Sequence, residues 1–168
     1  MSVDILSLSK PHQTILVCVS GLFSVAGKEK FIDNIITIDW HMPTSFNPPL
    51  YCISISKSRF SLKLLNISKC FSINFLSSNF EREVMICGTT SGVNTDKFKS
   101  TKLTPLDCVK IDTKYIKEAE SVYECEVINE IDTGDHILII GKIIYHQEFN
   151  NRRRIINTKN QGFTTTIK

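Results

Sequence analysis

The densest set of groups able to hold a small anionic ligand lies between Asn34 and Ser61, in the run NIITIDWHMPTSFNPPLYCISISKSRFS. At its end Ser56, Lys57, Ser58, Arg59 and Ser61 surround the expected start of a helix. A helix start leaves its first N–H groups unpaired and carries the positive end of the helix dipole, which suits a phosphate. Arg59 adds a planar guanidinium, better shaped than an ammonium for a bidentate contact to phosphate oxygens. The plainer alternative is that Ser58 only caps the helix while Lys57 and Arg59 face water. Upstream, Asn34, Thr37, Asp39 and Trp40 bring hydrogen-bonding groups and one aromatic ring to a strand end. The loop that follows cannot be helical at Pro48 and Pro49. Irregular backbone there leaves amides and carbonyls free to read the polar edge of a flat ligand; otherwise it is an ordinary turn and Trp40 fills the core. His136 directly follows the turn residues Asp132, Thr133, Gly134 and Asp135, where its imidazole can face a cavity mouth in either protonation state. Nothing nearby in the sequence identifies a fixed tautomer for it, and anchoring a hairpin is the plainer role.

Other chemistries find less support. There is no GxGxxG, no phosphate-binding P-loop and no GxSxG elbow. The six cysteines, Cys18, Cys52, Cys70, Cys87, Cys108 and Cys125, are scattered without a CxxC pair or a histidine at ligand spacing, so no metal site is expected. They read as reduced, mostly buried thiols that pack as small hydrophobes. With 20 Lys+Arg against 17 Asp+Glu, the formal charge of +3 is too mild to argue for nucleic acid but suits a small anion. Arg152, Arg153 and Arg154 carry the weaker reading of a nucleic-acid contact. No apolar run is long enough to span a bilayer, and the first residues lack the pattern of a signal peptide, so a cytoplasmic protein with no membrane partner is expected.

The elements that must position these groups are mostly strands. Runs rich in Val, Ile and aromatics alternate with Gly, Pro, Asn and Asp, which is an all-β pattern and not a regular βαβ alternation. Strands are predicted at Thr14–Val19, Asn34–Asp39, Tyr51–Ser56, Cys70–Phe75, Val109–Ile111, Val122–Ile131 and His136–Gln147. The last two are joined by a Gly-containing hairpin loop at Asp132–Asp135. Short helices are predicted from Ser58, with a serine capping the first amides, from Asn79, with Glu81 and Glu83 in the first turn, and near Thr95–Ser100. The 168 residues, 42% hydrophobic, fit one domain over 1–168, with a core at about 12–145 and a polar tail at 150–168.

Taken together, these residues resemble the flavin reductase-like domain family, and within it the flavoredoxin-like branch. The blocks Asn34-Ile35-Ile36-Thr37-Ile38-Asp39-Trp40, Ser45-Phe46-Asn47-Pro48-Pro49-Leu50 and Ser56-Lys57-Ser58-Arg59-Phe60-Ser61 look like its successive flavin-contacting segments. Cys70–Asn74, the run Cys87-Gly88-Thr89-Thr90-Ser91-Gly92 with Asp96-Lys97-Phe98, and Gly134-Asp135-His136 through Gly141 follow in the family's order. The similarity covers roughly His12 to Tyr145, and the tail beyond matches poorly. It implies a mainly β, FMN-binding split barrel of Greek-key type with a few short helices, and FMN held non-covalently near a homodimer interface. Asn34, Thr37, Ile38, Asp39, Trp40, Ser45, Ser56, Lys57, Ser58, Arg59 and Ser61 are then the expected FMN contacts, and His136 faces the open side of the flavin. The implied activity is reduction of free flavin or another acceptor by NAD(P)H, a transient co-substrate stacked on the flavin. The alternative is a flavoredoxin-type carrier that exchanges electrons with a redox partner protein and does not itself oxidise NAD(P)H.

Overall fold

A computed structural model describes residues 12–25, 27–150, 154–158 and 162–165. The strands, in chain order, are β1 (His12–Gln13), β2 (Ile15–Val25), β3 (Lys28–Ile38), β4 (His41–Ser45), β5 (Leu50–Ser56), β6 (Cys70–Phe75), β7 (Pro105–Asp107), β8 (Lys114–Ile116), β9 (Ser121–Asp132), β10 (His136–Glu148), β11 (Ile155–Asn157) and β12 (Phe163–Thr165). Three short helices interrupt them: α1 (Phe60–Ser68), α2 (Glu81–Thr89), entered through a 3-10 turn at Ser78–Phe80, and α3 (Lys97–Thr101).

Seven strands form one antiparallel sheet in the order β3-β2-β6-β9-β10-β5-β4. The sheet curls so that one face of nearly every strand meets a shared core: Val17 and Val19, Ile36 and Ile38, Ile53 and Ile55, Phe71 and Ile73, Cys125 and Ile139, with Leu64 and Leu65 of α1. A second core covers the opposite face of β2 and β3, where Leu16, Cys18 and Ile35 pack against Val84 and Cys87 of α2, Phe98 of α3, and Ile116. Because β2 is covered on both faces, its first residues read Ile-Leu-Val-Cys-Val with no polar alternation. The cysteines are free; all are buried except Cys108, which is half-buried.

The β9–β10 hairpin forms as its sequence indicates, with Ile137 opposite Asp132 and Gly134 at a φ of +95° in the turn. Helix α1 also forms, but no serine caps it: Arg59 is the N-cap residue, in extended backbone, and no side chain bonds the first amides. The Ser58 hydroxyl instead lies 3.0 Å from that of Ser56. The predicted strand at Val109–Ile111 does not form. The amides of Val109 and Lys110 donate to the two carboxylate oxygens of buried Glu124, at 2.8 and 2.7 Å, so they cannot enter a ladder. Part of the segment beyond residue 150, left as a polar tail by the sequence, joins the fold. β11 pairs with β1, and Ile155 is fully buried in the second core.

Gly141 sits beside a register shift in β10, where the chain presses against β6. A Cβ there would lie 2.6 Å from Phe71 Cζ and 2.9 Å from Cys125 Cβ, both in the closed first core. Gly141→Ala is expected to cost about 1–3 kcal/mol through overpacking, read as a lower urea midpoint with an unchanged slope.

Candidate functional site

The pairing of β5 with β10 brings the two ends of the sequence-predicted site together. Ser56, the last residue of β5, lies opposite His136, the first of β10. Past Ser56 the chain turns: Arg59 N donates to Ser56 O at 2.9 Å, and Lys57 N donates to Asp135 O at 3.0 Å, fastening the start of α1 to the hairpin. The Lys57 ammonium reaches Asp132 at 2.6 Å, an exposed ion pair that ties down the turn and does not point at a ligand. Trp40, just past the end of β3, places its ring 5.0 Å from the His136 imidazole, tilted by 40°. His136 Nδ1 lies 2.7 Å from Asp135 Oδ1. A carboxylate only accepts, so Nδ1 carries the hydrogen and Nε2 is the nitrogen left to meet a ligand. Asp135, the preceding residue, therefore supplies the tautomer-fixing partner that the sequence did not reveal.

Beside the start of α1 is a small cleft of about 120 Å³. Ser58 and Arg59, just before α1, and Ser61 in its first turn line it on one side, and Thr90, Ser91 and Gly92 from the loop after α2 on the other. Lys97 closes it from below. Only 3% exposed, Lys97 donates to Ile35 O at 2.7 Å and to Cys87 O at 2.8 Å. Burial, with a smaller push from the Arg59 charge, lowers its pKa from the usual lysine value to about 8. An ammonium has three donors, and these carbonyls take two. The cleft thus gathers a guanidinium, an ammonium with one donor unused among the described residues, hydroxyls and the uncapped first turn of a nine-residue helix. That donor set fits a phosphate. Cys87, also on its wall, is no nucleophile, because burial raises its thiol pKa to about 12.

The remaining predicted contacts are dispersed. Buried Asn34 donates from Nδ2 to Ser61 Oγ at 2.8 Å, bracing α1, while its Oδ1 is buried without a hydrogen-bond partner among the described residues. Thr37 turns away and donates to Val84 O at 2.6 Å. Both Asp39 oxygens are engaged on the far side, by Thr14 and by Asn157 at 2.6 Å each. Ile38 is buried in the first core. Ser45, half-buried at the end of β4, pairs with Leu50 across the turn that holds the cis Asn47–Pro48 bond. The structure therefore joins Ser56, Ser58, Arg59 and Ser61, sets Trp40 and His136 near them, and does not bring Thr37 or Asp39 to the cleft. Lys97, Ser91 and Gly92 were missed as site residues. Their only sequence signal was the order of the Cys87–Gly92 and Asp96–Phe98 blocks.

Comparison with known proteins agrees with this architecture. The family model described as "Flavin reductase like domain" matches residues 11–165. An uncharacterised protein of Archaeoglobus fulgidus is 32% identical over 143 residues, spanning 85% of this chain and 76% of that protein. The flavoredoxin of Desulfovibrio vulgaris superposes with a TM-score of 0.84 at 21% identity, covering 100% of this chain and 93% of the other. An FMN-binding protein from Thermus thermophilus superposes with a TM-score of 0.82 at 21% identity, covering 98% and 91%. At these identities the two structures establish the mainly β split-barrel fold.

The lowered Lys97 pKa fixes a sign for stability against pH. Between about pH 8 and the unfolded lysine range the unfolded chain binds the Lys97 proton and the folded chain releases it. The cost of the buried charge is therefore fully present below pH 8 and fades as pH rises through this window. Lys97→Met should lower stability by about 1–3 kcal/mol by leaving two carbonyls unpaired. The gap between the wild type and this variant should widen as pH is raised above 8, which paired urea melts at stepped pH will show.

Proposed function

The chain belongs to the flavin reductase-like domain family, and from that premise we propose that it binds FMN non-covalently and works as an NAD(P)H-dependent oxidoreductase delivering electrons to free flavin or another acceptor. The observation that carries this reading is the small cleft in which Arg59, Lys97 and the uncapped start of α1 converge. Arg59 would grip two oxygens of the FMN phosphate, Lys97 would neutralise it from beneath, and Ser58 and Ser91 would complete the donors. When bound, FMN supplies the one- and two-electron chemistry through its ring system, while the protein positions it. Trp40 and His136 would line that ring: their rings lie 5.0 Å apart, and the contact of His136 Nδ1 with Asp135 Oδ1 leaves Nε2 for a ligand. The placement of His136 supports a role in orienting a nicotinamide against the flavin.

One domain over 1–168 is supported by strands drawn from His12 to Thr165. A cytoplasmic homodimer is part of the proposal. Edge strand β4 exposes Met42, and fully exposed Phe46 follows in its turn, a surface suited to a second copy. Among the described residues no helix is long and apolar enough to cross a membrane. A nucleic-acid role for the arginine run finds no support from Arg154. Its guanidinium stacks 4.9 Å over Phe75 and donates to Ser121 at 3.0 Å, while Arg152 and Arg153 lie outside the described residues.

Arg59→Ala should weaken FMN binding about tenfold or more and leave riboflavin binding nearly unchanged; equal losses for both flavins would remove Arg59 from the phosphate seat. His136→Ala should retain FMN while slowing anaerobic flavin reduction by NAD(P)H in single-turnover stopped flow. Should the wild-type flavin not be bleached by either nicotinamide, the electron-carrier reading with a protein partner replaces the reductase.

A further inference from the structure

Behind the phosphate seat a buried amide meets a buried hydroxyl, and the direction of their hydrogen bond decides what the hydroxyl can offer an anion. Asn34 on β3 and Ser61 in the first turn of α1 are each 2% exposed. Asn34 Nδ2 donates to Ser61 Oγ at 2.8 Å. Ser61 lines the small cleft with Arg59 and Lys97, and Asn34 is not part of that lining. We propose that Asn34 is a positioning residue for phosphate binding: by donating to Ser61 Oγ, it commits the Ser61 hydrogen to the phosphate. The proposal rests on the flavin reading above and deepens it, adding Ser61 to the phosphate donors and Asn34 as the residue that acts through it.

A hydroxyl has one hydrogen and two lone pairs. With an amide N–H on its oxygen, Ser61 does not turn its hydrogen back toward Asn34. It donates to no protein group among the described residues, so the hydrogen is left for an acceptor in the cleft. A phosphate oxygen is such an acceptor, and a hydroxyl held in this way joins the Arg59 guanidinium and the Lys97 ammonium as a further donor.

The other end of the amide fixes the direction of the bond. Asn34 Oδ1 is buried with no hydrogen-bond partner among the described residues. It is turned toward Gly92, where an added Cβ would lie 2.2 Å from Oδ1 and 3.1 Å from Nδ2. In that place an NH2 group would press its hydrogens against the Gly92 α-carbon, whereas an oxygen meets the C–H favourably. The close approach of Gly92 therefore keeps Oδ1 on its own side and Nδ2 toward Ser61. A buried acceptor without a partner is destabilising, which is the pattern of a site where local stability yields to ligand placement.

The test is a double-mutant cycle on the purified full chain, titrated with FMN and with riboflavin. Ser61→Ala should weaken FMN binding about tenfold, the size of a hydrogen bond to a charged group, and leave riboflavin binding unchanged. Asn34→Asp keeps the shape of the side chain, but an ionised carboxylate only accepts and so turns the Ser61 hydrogen away from the cleft. It should weaken FMN binding by more than about tenfold beside an intact Ser61, and that factor should be about tenfold smaller in the Ser61→Ala background. Asn34→Leu, similar in shape and without donor or charge, serves if Asn34→Asp does not fold. It should weaken FMN binding about threefold beside Ser61 and leave it unchanged in the Ser61→Ala background. The same factor in both backgrounds, or an FMN affinity that Ser61→Ala does not move, would overturn the positioning role and leave the phosphate seat standing. A wild type that binds FMN no better than riboflavin would overturn the phosphate seat itself, and this inference with it.

Discussion

A buried ammonium must have its donors satisfied, and the way Lys97 meets that demand organises the functional end of the molecule. Its bonds run to Ile35 O on β3 and Cys87 O near the end of α2, so one charge ties the central sheet, one helix and the start of α3. Removing a buried charge from water is costly, and two neutral carbonyls repay this only in part. The lowered pKa of Lys97 expresses that shortfall. An anion in the small cleft would complete the third donor and restore the charged form. In this way one side chain couples core geometry to ligand chemistry.

The sheet does the rest of the positioning. The register of β5 with β10 sets Ser56 against His136, and the turn through Arg59 then starts α1 at the same end. Buried Leu64 and Leu65 lock α1 onto the first core, and the bond from Asn34 to Ser61 fixes its first turn from β3. The groups proposed to meet a flavin thus hang on rigid strands and helices, as precise placement of a cofactor requires.

Much of this was legible in the chain. Cys70–Phe75 forms a strand with the bounds that its apolar run predicts, and the Gly-containing loop at Asp132–Asp135 closes a hairpin because its turn chemistry is local. The helix predicted from Ser58 also forms, from Phe60 after Arg59, although the serine cap that pointed to it is absent. Features that depend on distant partners were not legible. Nothing in the residues around Lys97 marks it as buried, because its partner Ile35 lies 62 positions away. Val109–Ile111 has strand composition, yet Glu124 captures two of its amides from 15 and 14 positions along the chain. Asp39 reads as a ligand contact, but Asn157, 118 positions away, takes one of its oxygens. β11 is too short to show a period, and its place depends on pairing with the opposite end of the chain.

The central claim is that the cleft formed by Arg59, Lys97 and the start of α1 holds the phosphate of a flavin. The most direct measurement is to denature the purified protein and identify the released chromophore, followed by reconstitution of the stripped chain with riboflavin, FMN and FAD. The account predicts about one phosphorylated flavin per chain, with uptake of FMN or FAD well ahead of riboflavin. A colourless protein that takes up none of the three, or one that takes up riboflavin as readily as FMN, would contradict it.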